Sequence, residues 1–214
     1  MASLVTLAMV WAGSAQAEFC VGLHTQSSAS LQIADVVGSG PVAFHSRTPV
    51  DCKLEDNGCL TGTHVLPGDR VAFVEAADGH VCAEAAVTRG KGHPNGWLDA
   101  DRVKVIANAG GRPSAWWPGS WRAIDQRIDL WTDKGALWAE AGALWRGPVS
   151  PHFGEFKGVM TVNPDGLSYA GETGCTVKLA AFGEQVVVAV DNGKCGALNV
   201  SFAGFYTRHR LGEK

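Results

Sequence analysis

The stretch IDQRIDLWTDKGALWAEAGAL, residues 124–144, decides the fold. Its arms, residues 124–130 and 136–144, are strand-like runs, and Asp133-Lys134-Gly135 between them supplies the chemistry of a tight hairpin. The same grammar continues outward through runs at 154–162, 175–182, 185–190 and 198–206. Asn163-Pro164-Asp165-Gly166, Ala181-Phe182-Gly183-Glu184 and Asp191-Asn192-Gly193 punctuate them. Six or seven antiparallel strands in about a hundred residues must bury apolar faces and hide their edges. The expectation is a small up-and-down barrel over residues 116–214, with a sandwich as the alternative.

Upstream, residues 31–36, 70–74 and 80–85 alternate or run apolar over strand lengths. Between them lie the turns Val37-Gly38-Ser39-Gly40-Pro41, Glu55-Asp56-Asn57-Gly58, Pro67-Gly68-Asp69 and Ala77-Asp78-Gly79. Residues 18–106 therefore read as a second small β domain, and the chain as all-β. Residues 107–115 are small, glycine-containing and punctuated by Pro113, the composition of a linker. The two halves are expected to fold separately on either side of it.

Residues 4–11 are an apolar run, and Ala15-Gln16-Ala17 is a small-x-small cleavage site, so residues 1–17 read as a secretory signal peptide. No Lys or Arg precedes the run. The run is far below the ~20 apolar residues of a membrane-spanning helix. The expectation is an exported protein, periplasmic or secreted, without membrane insertion after cleavage. All six cysteines follow the cleavage site, and in an oxidising compartment they read as disulfides. With bonds kept within each half, Cys175 joins Cys195. In the first half Cys20–Cys82 with Cys52–Cys59 is preferred among three possible pairings.

Leu66-Pro67-Gly68-Asp69-Arg70-Val71, then His80-Val81-Cys82, then Asn95-Gly96-Trp97-Leu98 resembles the second half of a bacterial SH3-like (SH3b) domain. Gly119-x-Trp121 resembles the opening of lipocalin-like barrels, which implies that Trp121 plugs the closed end. The segment 190–208, with Asp191-Asn192, Cys195-Gly196, Asn199-Val200-Ser201-Phe202, Gly204, Tyr206 and Arg208, resembles the C-terminal signature of a group of uncharacterised exported bacterial proteins. Members of that group place an SH3-like segment with a VPGD turn ahead of it, matched here at residues 65–69 apart from one inserted leucine. The resemblance spans both halves and implies no established activity.

Residues 18–106 carry seven Lys or Arg against eleven Asp or Glu, and residues 107–214 eleven against ten, giving −4 and +1 and the net −3 of the chain. Neither half has the clustered basic face that nucleic acid demands. No Cys-x-x-Cys, His-x-x-x-His, His-Glu-x-x-His, Gly-x-Ser-x-Gly or phosphate-loop pattern occurs. Ser201 and His152 have no supporting motif, and Asp125, Asp129, Asp133, Glu140 and Glu155 read as solvated carboxylates. No metal, cofactor or catalytic residue is assigned, and no enzymatic activity is expected.

Two features suit ligand contact. The loop Thr88-Arg89-Gly90-Lys91-Gly92-His93-Pro94-Asn95 offers cationic donors at Arg89, Lys91 and His93. Six tryptophans crowd residues 116–145, and Trp131 and Trp138, flanking a turn, are expected at a rim where they could stack on a ligand. The sequence thus points to an exported cell-envelope binding protein contacting peptidoglycan or an envelope protein through its SH3-like half. The rival classes are a periplasmic inhibitor of a wall-degrading enzyme such as lysozyme and a structural envelope protein.

Overall fold

A computed structural model describes residues 20, 22–24, 31–46, 59–77, 79–87, 89–92, 94–107 and 109–209. The 1–17 leader, Cys52 and His93 lie outside the described residues. The chain is all-β.

The first half contributes β1 (Gln32–Val36), β2 (Val42–His45), β3 (Leu60–Val65), β4 (Arg70–Ala77), β5 (His80–Ala85), β6 (Arg89–Gly90), β7 (Asn95–Asp99) and β8 (Val103–Val105). They form one antiparallel sheet in the order β6-β3-β2-β7-β5-β4-β1-β8. Ala34 and Val36 from β1 share a buried cluster with Val42 and Phe44 from β2, with three strands between them in the sheet, so the sheet curls around its own core. Trp97 on β7 is fully buried, as a core tryptophan on this strand should be. Cys20 bonds Cys82, with Cα atoms 5.3 Å apart. Cys59 is disulfide-bonded too.

The second half is an eight-stranded closed barrel: β9 (Gly119–Ala123), β10 (Gln126–Asp133), β11 (Ala136–Arg146), β12 (Pro151–Asn163), β13 (Gly166–Ala170), β14 (Thr176–Ala181), β15 (Val186–Asp191) and β16 (Gly204–His209). Every neighbour in sequence is an antiparallel neighbour in space, and β16 closes on β9. Alternation is what makes this possible. On β11 the residues Leu137, Ala139, Ala141 and Ala143 face a core that includes Phe156, Met160, Val177, Leu179, Val187 and Phe202, while Trp138, Glu140 and Gly142 face out. The Asp133↔Ala136 hairpin turns through Lys134 at φ 48° and Gly135 at φ 82°, the doubly positive pair of a type I′ turn. Cys175–Cys195 staples the start of β14 to the loop after β15, Cα atoms 4.7 Å apart.

Two strands of the barrel are additional to those read from the sequence. β9 (GSWRA) and β13 (GLSYA) each carry glycine and serine, which break up any apolar run. Conversely, residues 198–203 leave the ladder. The carboxylate of Asp191, itself buried, accepts from Gly193 N at 2.6 Å, Ser201 Oγ at 2.8 Å and the amide of Phe202, and holds this segment as a loop.

The segment 107–115 is no free tether. Gly110 O accepts from Ala181 N at 2.9 Å, and a Cβ at Gly110 would meet Ala180. Leu23, Ile33, Ala72 and Val74 from the first half pack with Ala180, Phe182, Val188, Val190 and Ala203 on the outer wall of the barrel. That wall, centred on β15, is covered. The opposite wall, β10 to β12, faces solvent and carries the features that follow.

Candidate functional site

The cationic loop of the first half is partly committed to the fold. Arg89 sits on β6, where its guanidinium forms a two-pronged ion pair with Asp69. Asp69 Oδ2 also accepts from Leu66 N at 2.7 Å, so the pair clamps the Pro67-Gly68-Asp69 turn. Lys91 is exposed, and its N–H donates to Gly62 O at 3.2 Å. Trp131 and Trp138 form a cross-strand stack on the outer wall of the barrel, with ring centres 6.5 Å apart and planes at 18°. The pair lies two register positions from the Asp133↔Ala136 end of the hairpin. Val159 lies beside Trp138 in the same row, and the Lys157 ammonium is 6.0 Å from the Trp131 ring.

Strand register builds the rest of this wall. One row runs Asp129, Glu140, Lys157; the next runs Arg127, Gly142, Glu155. Within them Lys157 donates to Glu140 at 2.8 Å, while Arg127 and Arg122 reach Asp129 at 3.2 and 3.1 Å. Gly142 interrupts the charged wall. A Cβ there would meet nothing within 4 Å, so bare backbone forms the floor of a groove of about 1060 Å³. The far side of the groove is Tyr169, Thr173, the Cys175–Cys195 disulfide and Lys194. Gly154 and Gly196 meet backbone to backbone at its edge, an approach that any side chain would block. Among the described residues, the side chains of Glu155 and Lys194 have no hydrogen-bond or ion-pair partner.

The paired carboxylates are held ionised. Hydrogen bonding from Lys157 keeps Glu140 below the usual carboxylate range, and Arg146, whose guanidinium donates to Asp125 at 2.9 and 2.7 Å, does the same for Asp125. A general acid needs the opposite shift. The groove presents an open floor, aromatic faces, and one unpaired charge of each sign. Among the described residues, no group of three or more His, Cys, Asp or Glu side chains is placed to hold a metal ion.

Asp69 gives a pH dependence of stability. The Arg89 hydrogen bond, with smaller help from the Leu66 amide, lowers its pKa. A depressed folded-state pKa stabilises above the unfolded value, near ~4, and that stabilisation is lost as pH falls through the folded value. Melting temperature is therefore expected to fall below about pH 4, with a shallower fall in Asp69→Asn. Identical acid slopes in the two proteins would remove Asp69 from the account.

No family model, curated protein or solved structure matches the chain.

Proposed function

We propose that the protein is an exported, non-catalytic binding protein of the cell envelope, and that its ligand site is the barrel groove over Gly142. The observation that carries this reading is the groove itself, framed by the unpaired Glu155 carboxylate and Lys194 ammonium. A peptide-bearing wall polymer supplies the complementary groups: carboxylates for Lys194, an amine for Glu155, and amides for the exposed backbone. The ionised state of Glu140 and Asp125 supports binding over acid catalysis. The Arg89–Asp69 clamp favours the barrel over the first half as the place of contact.

Co-sedimentation of the mature chain with purified sacculi tests it. A Cβ at Gly142 meets open space and phenylalanine suits a strand, so in Gly142→Phe retention is expected to drop at least about ten-fold with the melting temperature preserved. Lys194→Glu should act in the same direction. Unchanged retention in Gly142→Phe, loss on changing Arg89 and Lys91 to alanine instead, or release of soluble wall fragments would overturn the assignment.

A further inference from the structure

The end of the barrel that carries the β9–β10, β11–β12 and β15–β16 loops bears an unusual surface. Ile124, Val149, Phe153 and Leu198 are 91, 96, 66 and 74 % exposed. Hydrogen bonds place them together. Leu144 N donates to Asp125 O, beside Ile124; Ala197 N donates to Phe153 O; and the His152 ring is 2.6 Å from Leu198 O. Val149 caps the loop between Arg146 and Pro151, which are register partners. Among large apolar side chains more than 60 % exposed in the described residues, Val87 alone lies elsewhere. Scattered exposed apolar residues need no explanation, but three on adjoining loops with a fourth beside them near the start of β12 do.

We infer that this rim docks the protein onto a lipid surface, its four apolar side chains entering the headgroup–acyl boundary while the barrel stays outside. Each side chain is carried by its own turn or strand end. Four such side chains at roughly 100–150 Å² each offer on the order of 500 Å², short of the ~800 Å² per partner of a stable protein interface. A deformable phase makes no such demand. The backbone fits as well: Pro148 and Pro151 bracket Val149, so this tip brings two fewer N–H groups to desolvate. Partly buried Trp145, its ring 5.0 Å from His152, sits behind the tips, where an interfacial aromatic belongs. Charge at this end of the barrel is balanced, Arg146 and Lys194 against Asp125 and, on the β13–β14 loop, Glu172, so apolar insertion and not headgroup attraction is the driving force. This is a surface attachment. Among the described residues no helix is long and apolar enough to cross a membrane.

The test is flotation of the mature chain with vesicles of phosphatidylethanolamine and phosphatidylglycerol, 3:1, in low and in 0.5 M salt. Binding is expected to survive salt, to fall about two- to five-fold in Phe153→Ser or Val149→Ser, and to vanish in the quadruple serine variant. Because all four side chains are exposed, circular dichroism and melting temperature should not change. Absence of vesicle binding by the unaltered chain, binding abolished by salt, or equal binding by the quadruple variant would overturn the inference. So would a concentration-dependent dimer that the serine changes dissolve in the absence of vesicle binding, since the rim would then serve a second copy. Sacculus retention is read separately, so failure of the groove does not touch this result.

Discussion

Trp121→Ala is expected to cost about 3–5 kcal/mol and to lower the melting temperature by roughly 10–15 °C. Trp121 is fully buried, pairs with Ile128 and Arg208 in the ladder, and donates its indole N–H to Trp117 O at 3.1 Å. The Arg208 guanidinium lies 4.3 Å above its ring and 4.8 Å from that of Trp116, and donates to Pro118 O and Trp116 O at 3.2 and 2.5 Å. Removing the indole therefore opens a cavity at the foot of the barrel and strips a cation of the surface that shields it. Partial burial already lowers the pKa of Arg208. A double-mutant cycle with Arg208→Ala should show coupling of about 1–2 kcal/mol. Chemical denaturation reads both quantities; a loss under about 1 kcal/mol for Trp121→Ala would mean that the barrel end is closed by something else.

The parts of this structure legible in the sequence are those fixed by local chemistry. Lys134-Gly135 turns where its residues say it must, and the alternation of 137, 139, 141 and 143 against 138, 140 and 142 gives the inner and outer faces of β11. Pairing of Cys175 with Cys195 follows from keeping bonds within each half, whereas Cys20–Cys82 is only the preferred one of three pairings that this rule allows. Where long-range competition decides, the local signal is silent. Residues 198–203 have strand composition, yet the Asp191 carboxylate captures the Phe202 amide and the Ser201 hydroxyl and the ladder loses them. Asp69, twenty positions before Arg89, engages a cation that local sequence leaves free. The groove was out of reach for the same reason. Arg127, Gly142 and Glu155 become neighbours only through the register of three strands, and a glycine in a strand carries no mark that its missing side chain is a floor. The apolar rim is invisible too, since Ile124, Val149, Phe153 and Leu198 look like core residues until the loops are assembled.

Cutting the chain into residues 18–106 and 113–214 is expected to destabilise both parts, although composition alone suggests two independent halves. The layer between them buries Leu23, Ile33 and Val74 against Phe182, Val188 and Val190. At about 1.5–3 kcal/mol for full burial of each such side chain, its contribution is on the order of 10 kcal/mol, comparable to the whole stability of a typical domain. Polar contacts close the same seam, with Arg70 donating to Phe182 O at 3.1 Å and Ala181 N to Gly110 O at 2.9 Å. The barrel fragment alone would present Val188 and Val190 on an open wall and should self-associate or melt well below the full chain; the first fragment should do the same through Ile33 and Val74. Mixing them in equal amounts should restore a single transition near that of the intact protein. In the intact chain, Val188→Asp should reproduce the loss by placing an unpaired carboxylate in the layer. Two fragments that each melt cooperatively at the midpoint of the full chain would show that the layer adds nothing. The curled sheet and the barrel would then be joined by proximity alone, leaving the solvent-facing wall of β10 to β12 with no fixed orientation toward the first half.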